Sequence, residues 1–369
     1  MMYDELMKLW IDFDKYATAR SVYISKKGEK AFKLYIKEIE DRVDFERHKP
    51  KKNKGILSKA GKRFKESFDD IVTIVLSDAN EVYDNQYRLT AKAINKGVGS
   101  PIILSKPPKK HVDSVDSYLF GAQPDEHFLD IASKTVESVG RNLTDVMVSG
   151  TLNESLGVSA IAEFRSRVIG KAALRYKDGI LAKYKRDIAT LALTASNKAA
   201  NDAASKVYKD NSDIIGKVQW LATLDKRTTP ICMGRSGLMW TVDGKPIGHN
   251  LSIGGMPPAH YRCRSRLLPV IKPSNQIDEN EFKNKMKERG FSDEEIKAAK
   301  INRQASENST APSNLTYNGW LKTLSKDEQI AILGERKRKI WKEKGLTTAD
   351  LLDNSGNPMT LSEIENKYK

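Results

Sequence analysis

Residues 220–264 read WLATLDKRTTPICMGRSGLMWTVDGKPIGHNLSIGGMPPAHYRCR. Both cysteines of the 369-residue chain, Cys232 and Cys263, lie in this stretch, with two of its five histidines, His249 and His260, and two of its five tryptophans, Trp220 and Trp240. Such crowding of scarce residue types, stiffened by Pro257-Pro258, marks a compact and closely specified unit. Around it, from Asn211 onward, Gly, Pro and Thr accumulate. Lys217–Trp220 and Gly237–Thr241 read as short strands between turns, and Arg262–Val270 as another. Asp243-Gly244 is a hairpin-turn dipeptide.

Outward from this block the pattern is helical. Residues 1–45 carry Leu6, Leu9, Trp10 and Phe13 at three- and four-residue steps, the spacing of an amphipathic helix. Phe68, Val72, Val75, Ala79, Val82, Leu89 and Ala93 line one face of a long helix closed by Gly97 and Gly99. Pro101–His111 reads as a connector. Helix resumes near Asp125 and runs to about Lys209 with breaks expected at Gly140, Gly150 and Gly157; Asp178–Tyr208 is rich in strong helix formers. Beyond Pro273 the sequence predicts helices over Asn280–Gly290, Ser292–Arg303 and Ser325–Lys344, with Ser292-Asp293-Glu294-Glu295 as a capping box and Ser306–Ser313 as a polar loop. The expected fold is mainly α with a small α+β C-terminal domain: long N-terminal helices, irregular short strands around 215–270, and a helical tail. The expected divisions are 1–100, 101–210 and 211–369.

The formal net charge is +15 and the pI near 9.4, which favours a polyanionic neighbour such as nucleic acid, with a merely solvated surface as the alternative. Two cysteines make no disulfide framework. The N-terminus lacks the basic and apolar regions of a signal peptide, and no run approaches the roughly 18 apolar residues that cross a bilayer. The expectation is a soluble protein without a membrane anchor, used without secretion. From Arg47 to Lys65 there are nine Lys or Arg residues and no acid. Pro50, Gly55 and Gly61 interrupt the run, which predicts a loop or weak helix rather than a packed element. Lys51, Lys52, Lys54 and Lys59 are candidate contacts for DNA. Arg262, Arg264 and Arg266 alternate, so on a strand they share one face, a ridge suited to phosphate or a partner's carboxylate. Arg336, Lys337, Arg338, Lys339, Lys342 and Lys344 crowd a helix near Trp341. Gly248–Gly255 lacks the Lys-Ser/Thr ending of a phosphate loop.

Cys232, His249, His260 and Cys263 are the candidate metal ligands, because zinc takes thiolate and imidazole and a His-x-x-Cys pair can chelate one ion. An uninterrupted strand would point His260 and Cys263 to opposite faces; a turn continuing from Pro257-Pro258 through Tyr261 relieves that. The competing reading needs no cofactor: the thiols are buried small hydrophobes and His260 bonds to backbone or to Asp225. A Cys232–Cys263 bridge is disfavoured in a reducing compartment. Asp225, ahead of Thr228-Thr229-Pro230, is suited to holding a turn. An Asp, a His and a Cys are also the ingredients of a nucleophilic site, but two-metal phosphoryl chemistry needs several carboxylates. The expectation is therefore a protein that is not an enzyme.

Trp220, Asp225, Thr229-Pro230-x-Cys232, Gly237 and the closing Pro257-Pro258-x-His260-x-x-Cys263-Arg264 resemble the signature of the Mu protein F-like minor head proteins of tailed phages, the phage head morphogenesis family. Trp320-Leu321, Leu333-Gly334-Glu335-Arg336, the basic run Lys337–Lys344 and Gly356-Asn357-Pro358-Met359-Thr360-Leu361 extend the resemblance, which covers roughly residues 185–369. One departure is clear: where the family shows Arg-Thr-Glu on a helix, this chain has Ile188-Ala189-Thr190-Leu191-Ala192-Leu193. The resemblance implies a low-copy virion component inside the capsid near the portal vertex, assembled in the host cytoplasm. It also implies a role in head assembly and, in some phages, in DNA packaging or ejection. Implied partners are the portal protein, other head proteins and packaged double-stranded DNA bound without sequence preference. The alternative is an enzyme, a metal nuclease or an ADP-ribosyltransferase-type toxin carrying the same C-terminal module.

Overall fold

Long amphipathic helices and one small sheet make up the computed structural model, which describes residues 2–47, 49–98, 124–149, 159–170, 179–253, 256–298 and 310–368. The helices of the first part are α1 (Met2–Arg42), α2 (Pro50–Glu66), α3 (Phe68–Val98), α4 (Pro124–Val148), α5 (Ala160–Ile169) and α6 (Ile180–Asp210). The sheet strands are β1 (Ile215–Leu221), β2 (Met239–Thr241), β3 (Pro246–Ile247) and β4 (Arg266–Ile271), with a short α7 (Pro230–Arg235) between β1 and β2. Among the described residues the α-helices that follow are α8 (Glu279–Glu288), α9 (Asp293–Ala298), α10 (Tyr317–Thr323), α11 (Lys326–Leu333), α12 (Glu335–Glu343) and α13 (Leu361–Lys367). The mainly α class with a small α+β part holds. The connector Pro101–His111, Gly99, Gly150, Gly157, Gly255, Ile301 to Arg303 and Ser306 to Ser309 lie outside the described residues.

The chain divides into two units: Met1–Lys15 with Glu81–Asp113 and Asn197–Lys369, and Tyr16–Asn80 with Ser114–Ser196. These limits cut through α1, α3 and α6, so the expected divisions at 100 and 210 are not followed. A change of composition marks where an element changes character, whereas a continuous helix carries its hydrogen-bond ladder past any such mark.

The unit built on Tyr16–Asn80 and Ser114–Ser196 is all helix, and its core is aromatic. Tyr35 stacks on Phe64 at 4.7 Å between ring centroids, Phe68 meets Phe64 edge-on at 5.2 Å, and Phe32 lies 5.2 Å from Tyr184. Such pairs add about 0.5–1.5 kcal/mol each beyond area burial. α1 and α6 approach closely at Gly28, where an added Cβ would lie 2.5 Å from Ile188, and the Tyr184 hydroxyl donates to the Gly28 carbonyl at 3.2 Å. From Pro50 onward the basic run corrects the expectation: it is a packed helix, α2, with Asn53, Ala60, Gly61 and Phe64 buried. Pro50 sits at its first turn, where the missing N–H costs nothing. Gly140 does not break α4 either, since it lies inside Pro124–Val148. A single glycine costs a helix only about 1 kcal/mol, less than the packing of the flanking turns supplies.

In the other unit the sheet is antiparallel throughout, in the order β3-β2-β1-β4. Pro269 sits in β4, an edge strand, the position where a residue without an N–H is tolerated. Val218, Trp220 and Trp240 are fully buried on one face and Leu268 on the other, and the Tyr208 hydroxyl of α6 donates to the Leu267 carbonyl at 2.9 Å. Downstream, Leu321, Trp341 and Leu346 form a small satellite core. The expected single helix Ser325–Lys344 is two helices, α11 and α12, parted at Gly334 with φ +79°. Ser325/Glu328 and Thr360/Glu363 form reciprocal capping boxes, and the expected Ser292/Glu295 pair is made in both directions.

Candidate functional site

The residues from Trp220 to Arg264 close on themselves in three steps. β1 carries Trp220 into the core, where the Arg235 guanidinium lies 5.8 Å over its ring and Trp240 lies 6.3 Å away. α7 follows the turn at Asp225 and holds Cys232 buried. Gly237 then reverses the chain with φ +92°, its N–H donating to the Trp220 carbonyl at 2.8 Å. A Cβ there would meet the Thr316 side chain at 2.8 Å, so both the backbone angle and the space demand glycine.

The second step is the turn at the far end of the block. Pro257 and Pro258 are buried and joined by a cis peptide bond. Residues 259–262 form turns rather than a strand, and the Cys263 N–H donates to the His260 carbonyl at 3.1 Å. That turn resolves the strand objection, since it puts His260 and Cys263 on the same side. Arg262, at φ +60°, completes it.

Cys232, His260 and Cys263 meet as a result. Their sulfurs are 3.6 Å apart, His260 Nε2 lies 3.2 Å from the Cys232 sulfur, and the three ligand atoms fall within 4.8 Å of one another. His260 Nε2 also meets the Thr229 hydroxyl at 2.8 Å, and its Nδ1 faces the Tyr261 carbonyl at 2.8 Å. Both thiols are free and nearly fully buried. The two thiols bias each other: their mutual hydrogen bond, with His260 assisting, lowers the Cys263 thiol from its ordinary range, and the same bond together with burial pushes Cys232 up. The contact with Cys263 raises His260 in turn.

His249 does not join them. Its Nε2 bonds to the Met239 carbonyl at 2.8 Å and its Nδ1 accepts from the Leu251 N–H at 3.2 Å, so both ring nitrogens serve the backbone of the β2–β3 hairpin. The metal candidates are thereby corrected from four residues to three.

The third step is electrostatic. Asp225 receives Arg264 in two hydrogen bonds of 2.8 Å and accepts from the Arg227 N–H at 2.9 Å. The Arg264 guanidinium holds its carboxyl down at about 2. Arg266 is buried, bonded to Asp14 and Asn197 at 2.8 Å each and lying 5.1 Å over Phe13. The expected Arg262–Arg264–Arg266 ridge is therefore corrected. β4 begins only at Arg266, Arg262 sits in the preceding turn, and Arg264 and Arg266 hold carboxylates of this same chain.

The lysines of α2 behave otherwise. Lys51, Lys52, Lys54 and Lys59 are all exposed. At roughly 100° per residue they fall on the half of the helix opposite Asn53, Ala60 and Phe64. On α12, Arg336, Lys339 and Lys342 are exposed, while Lys337 bonds to the Met359 carbonyl at 2.7 Å and Arg338 to the Gln329 side chain at 2.9 Å.

Several residues that organise the site carried no weight in the sequence. Asn197 donates to the Cys263 carbonyl at 3.1 Å while accepting from Arg266. Arg235 is buried and donates to the Gly356 carbonyl at 3.2 Å, which ties α7 to the C-terminal Gly356–Leu361 segment. Thr348 joins that contact through the Met233 carbonyl at 2.9 Å. These partners lie up to 121 residues away in sequence, beyond the reach of any local pattern. No helix of the described residues is long and apolar enough to cross a membrane. No family model, curated protein or solved structure matches the chain.

Proposed function

We propose that this chain is a minor head protein of a tailed bacteriophage, of the Mu protein F-like kind, which acts by binding rather than by catalysis. It works inside the capsid near the portal vertex, after assembly in the host cytoplasm, and its partners are the portal protein, other head proteins and packaged double-stranded DNA. The observation that carries this reading is the inward use of the signature residues. Trp220, Asp225, Gly237, Pro257, Pro258, Cys263 and Arg264 bind or pack against one another and against residues of the same unit. A block closed in this way is suited to be a rigid attachment module, and the acid Asp225 is occupied by an arginine rather than aimed at a cleft.

DNA contact belongs to the exposed lysines of α2. Binding is then independent of sequence and falls steeply with salt, because each phosphate neutralised releases counterions. Replacing Lys51, Lys52, Lys54 and Lys59 by Gln should lower the slope of log K against log salt by about 1 for each phosphate contact removed. An unchanged slope would remove the DNA role of this helix. The placement in the virion is tested by mass spectrometry of nuclease-treated, density-banded phage particles from cells that encode the chain. Its presence there well below the major capsid protein is expected, and its recovery only from the particle-free fraction would overturn the reading.

A further inference from the structure

We propose that Cys232, Cys263 and His260 bind a single zinc ion, with a solvent water beside Thr229 in the fourth position. The spacing of the donor atoms is the first argument. A tetrahedral zinc with Zn–S of about 2.3 Å sets two sulfurs about 3.8 Å apart, and with Zn–N of about 2.0–2.1 Å sets sulfur and nitrogen about 3.5 Å apart. The sulfurs here stand 3.6 Å apart and the Cys232 sulfur 3.2 Å from His260 Nε2. The Cys232 sulfur therefore stands near tetrahedral separation from both other donors, and all three ligand atoms lie within 4.8 Å of one another.

The second argument is the orientation of the imidazole. A peptide carbonyl can only accept, so the 2.8 Å contact with the Tyr261 carbonyl fixes the proton on Nδ1. Nε2, which faces the thiols, is then the nitrogen that would give its lone pair to a metal, and a backbone carbonyl on the far nitrogen is a common outer partner of a metal-bound histidine. Thr229 supplies the third argument. It stands at the N-cap of α7 yet makes no capping bond with its side chain, and its hydroxyl points at Nε2 from 2.8 Å instead. A water in the fourth position would find an acceptor and donor there. Two thiolates and a neutral imidazole leave the zinc site without net charge, which suits burial. The donor set itself, thiolate with imidazole, favours zinc over magnesium or calcium, which take oxygen.

The ion would staple the short helix α7 to the irregular 256–264 turn. The test uses the full chain without an affinity tag. Elemental mass spectrometry after exhaustive dialysis should find one zinc per chain, and cobalt replacement should give the intense visible bands and thiolate charge transfer of a tetrahedral site. Cys232→Ser and Cys263→Ser should lose the metal. His260→Gln should weaken zinc by more than about a hundredfold, beyond the loss expected for an outer partner. His249→Gln should keep it at full stoichiometry.

Metal-free native protein whose two thiols react with a thiol reagent at the same rate with and without added zinc would overturn the proposal. So would zinc retained in both Cys263→Ser and His260→Gln, or a disulfide between the cysteines. The cobalt spectrum of the unsubstituted chain decides the matter even if a cysteine variant fails to fold.

Discussion

The helical unit of residues 16–80 and 114–196 and the sheet-bearing unit are stabilised in different ways. In the first, Phe32, Tyr35, Phe64, Phe68 and Tyr184 form a continuous apolar and aromatic core, and ion pairs such as Arg63–Glu38 and Arg165–Glu40 lie at its rim. In the second, charge reaches inside: Arg289 meets Asp213 with both nearly inaccessible, the buried Arg266 meets Asn197 and the part-exposed Asp14, and Arg264 and Asp225 pair at the edge. A long helix is specified locally by its hydrogen-bond ladder and periodic apolar stripe, so apolar packing suffices to place it. Short strands and turns carry little such specification. Buried polar pairs, which strongly penalise any arrangement that separates them, fix the geometry instead.

The contrast makes quantitative predictions. Its largest test is Arg289→Met, which leaves the Asp213 carboxylate, 2% exposed, without its partner. A loss of about 3–5 kcal/mol in denaturant unfolding is expected, and a loss under about 1 kcal/mol would show that buried charge does not govern this unit. Trp220→Ala removes a fully buried indole from the sheet unit and should cost about 3–5 kcal/mol. Both changes should lower the midpoint read by tryptophan fluorescence, since all five tryptophans lie in the sheet-bearing unit, more than that read by far-ultraviolet circular dichroism, to which the long helices contribute most.

Acid sharpens the comparison. The Asp225 carboxyl is depressed to about 2 in the folded state, so its contribution is complete above the unfolded carboxylate range near 4 and fades as pH falls from there toward 2. Partial exposure limits it to about 1–2 kcal/mol. Asp225→Asn should flatten the acid limb of the stability curve over that window, and an unaltered limb would mean that the Arg264 pair contributes nothing. The smallest expected effect is in the helical unit. Arg63→Ala breaks an exposed pair with Glu38 and should cost no more than about 1 kcal/mol. If it equals Arg289→Met, the distinction between the units fails.

Periodicity made the long helices legible: the apolar steps from Leu6 to Phe13 and from Phe68 to Ala93 are α1 and α3. It failed at α2, where seven cations, Pro50 and two glycines hid Ala60 and Phe64, which suffice to pack one face. The arginine ridge failed for a different reason. Alternation implies a shared face only inside a strand, and here the strand starts at the last of the three residues. The crowding of Cys232, His260 and Cys263 was visible, but not the exclusion of His249, whose acceptor is a carbonyl ten residues away. Asn197 and Asp14 had no local signal at all, because their partners are 69 and 252 residues distant.

The link between Asp14 and Arg266 bears on how freely the C-terminal part of the chain can be transplanted. A fragment of 211–369 grafted onto another protein carries the buried arginine but leaves behind Phe13, Asp14 and Asn197, the three groups that neutralise and cover it. Such a graft begins with an orphaned cation beneath its sheet. To be portable, the segment needs α6 from Asn197 onward and either the first turns of α1 or an apolar residue in place of Arg266.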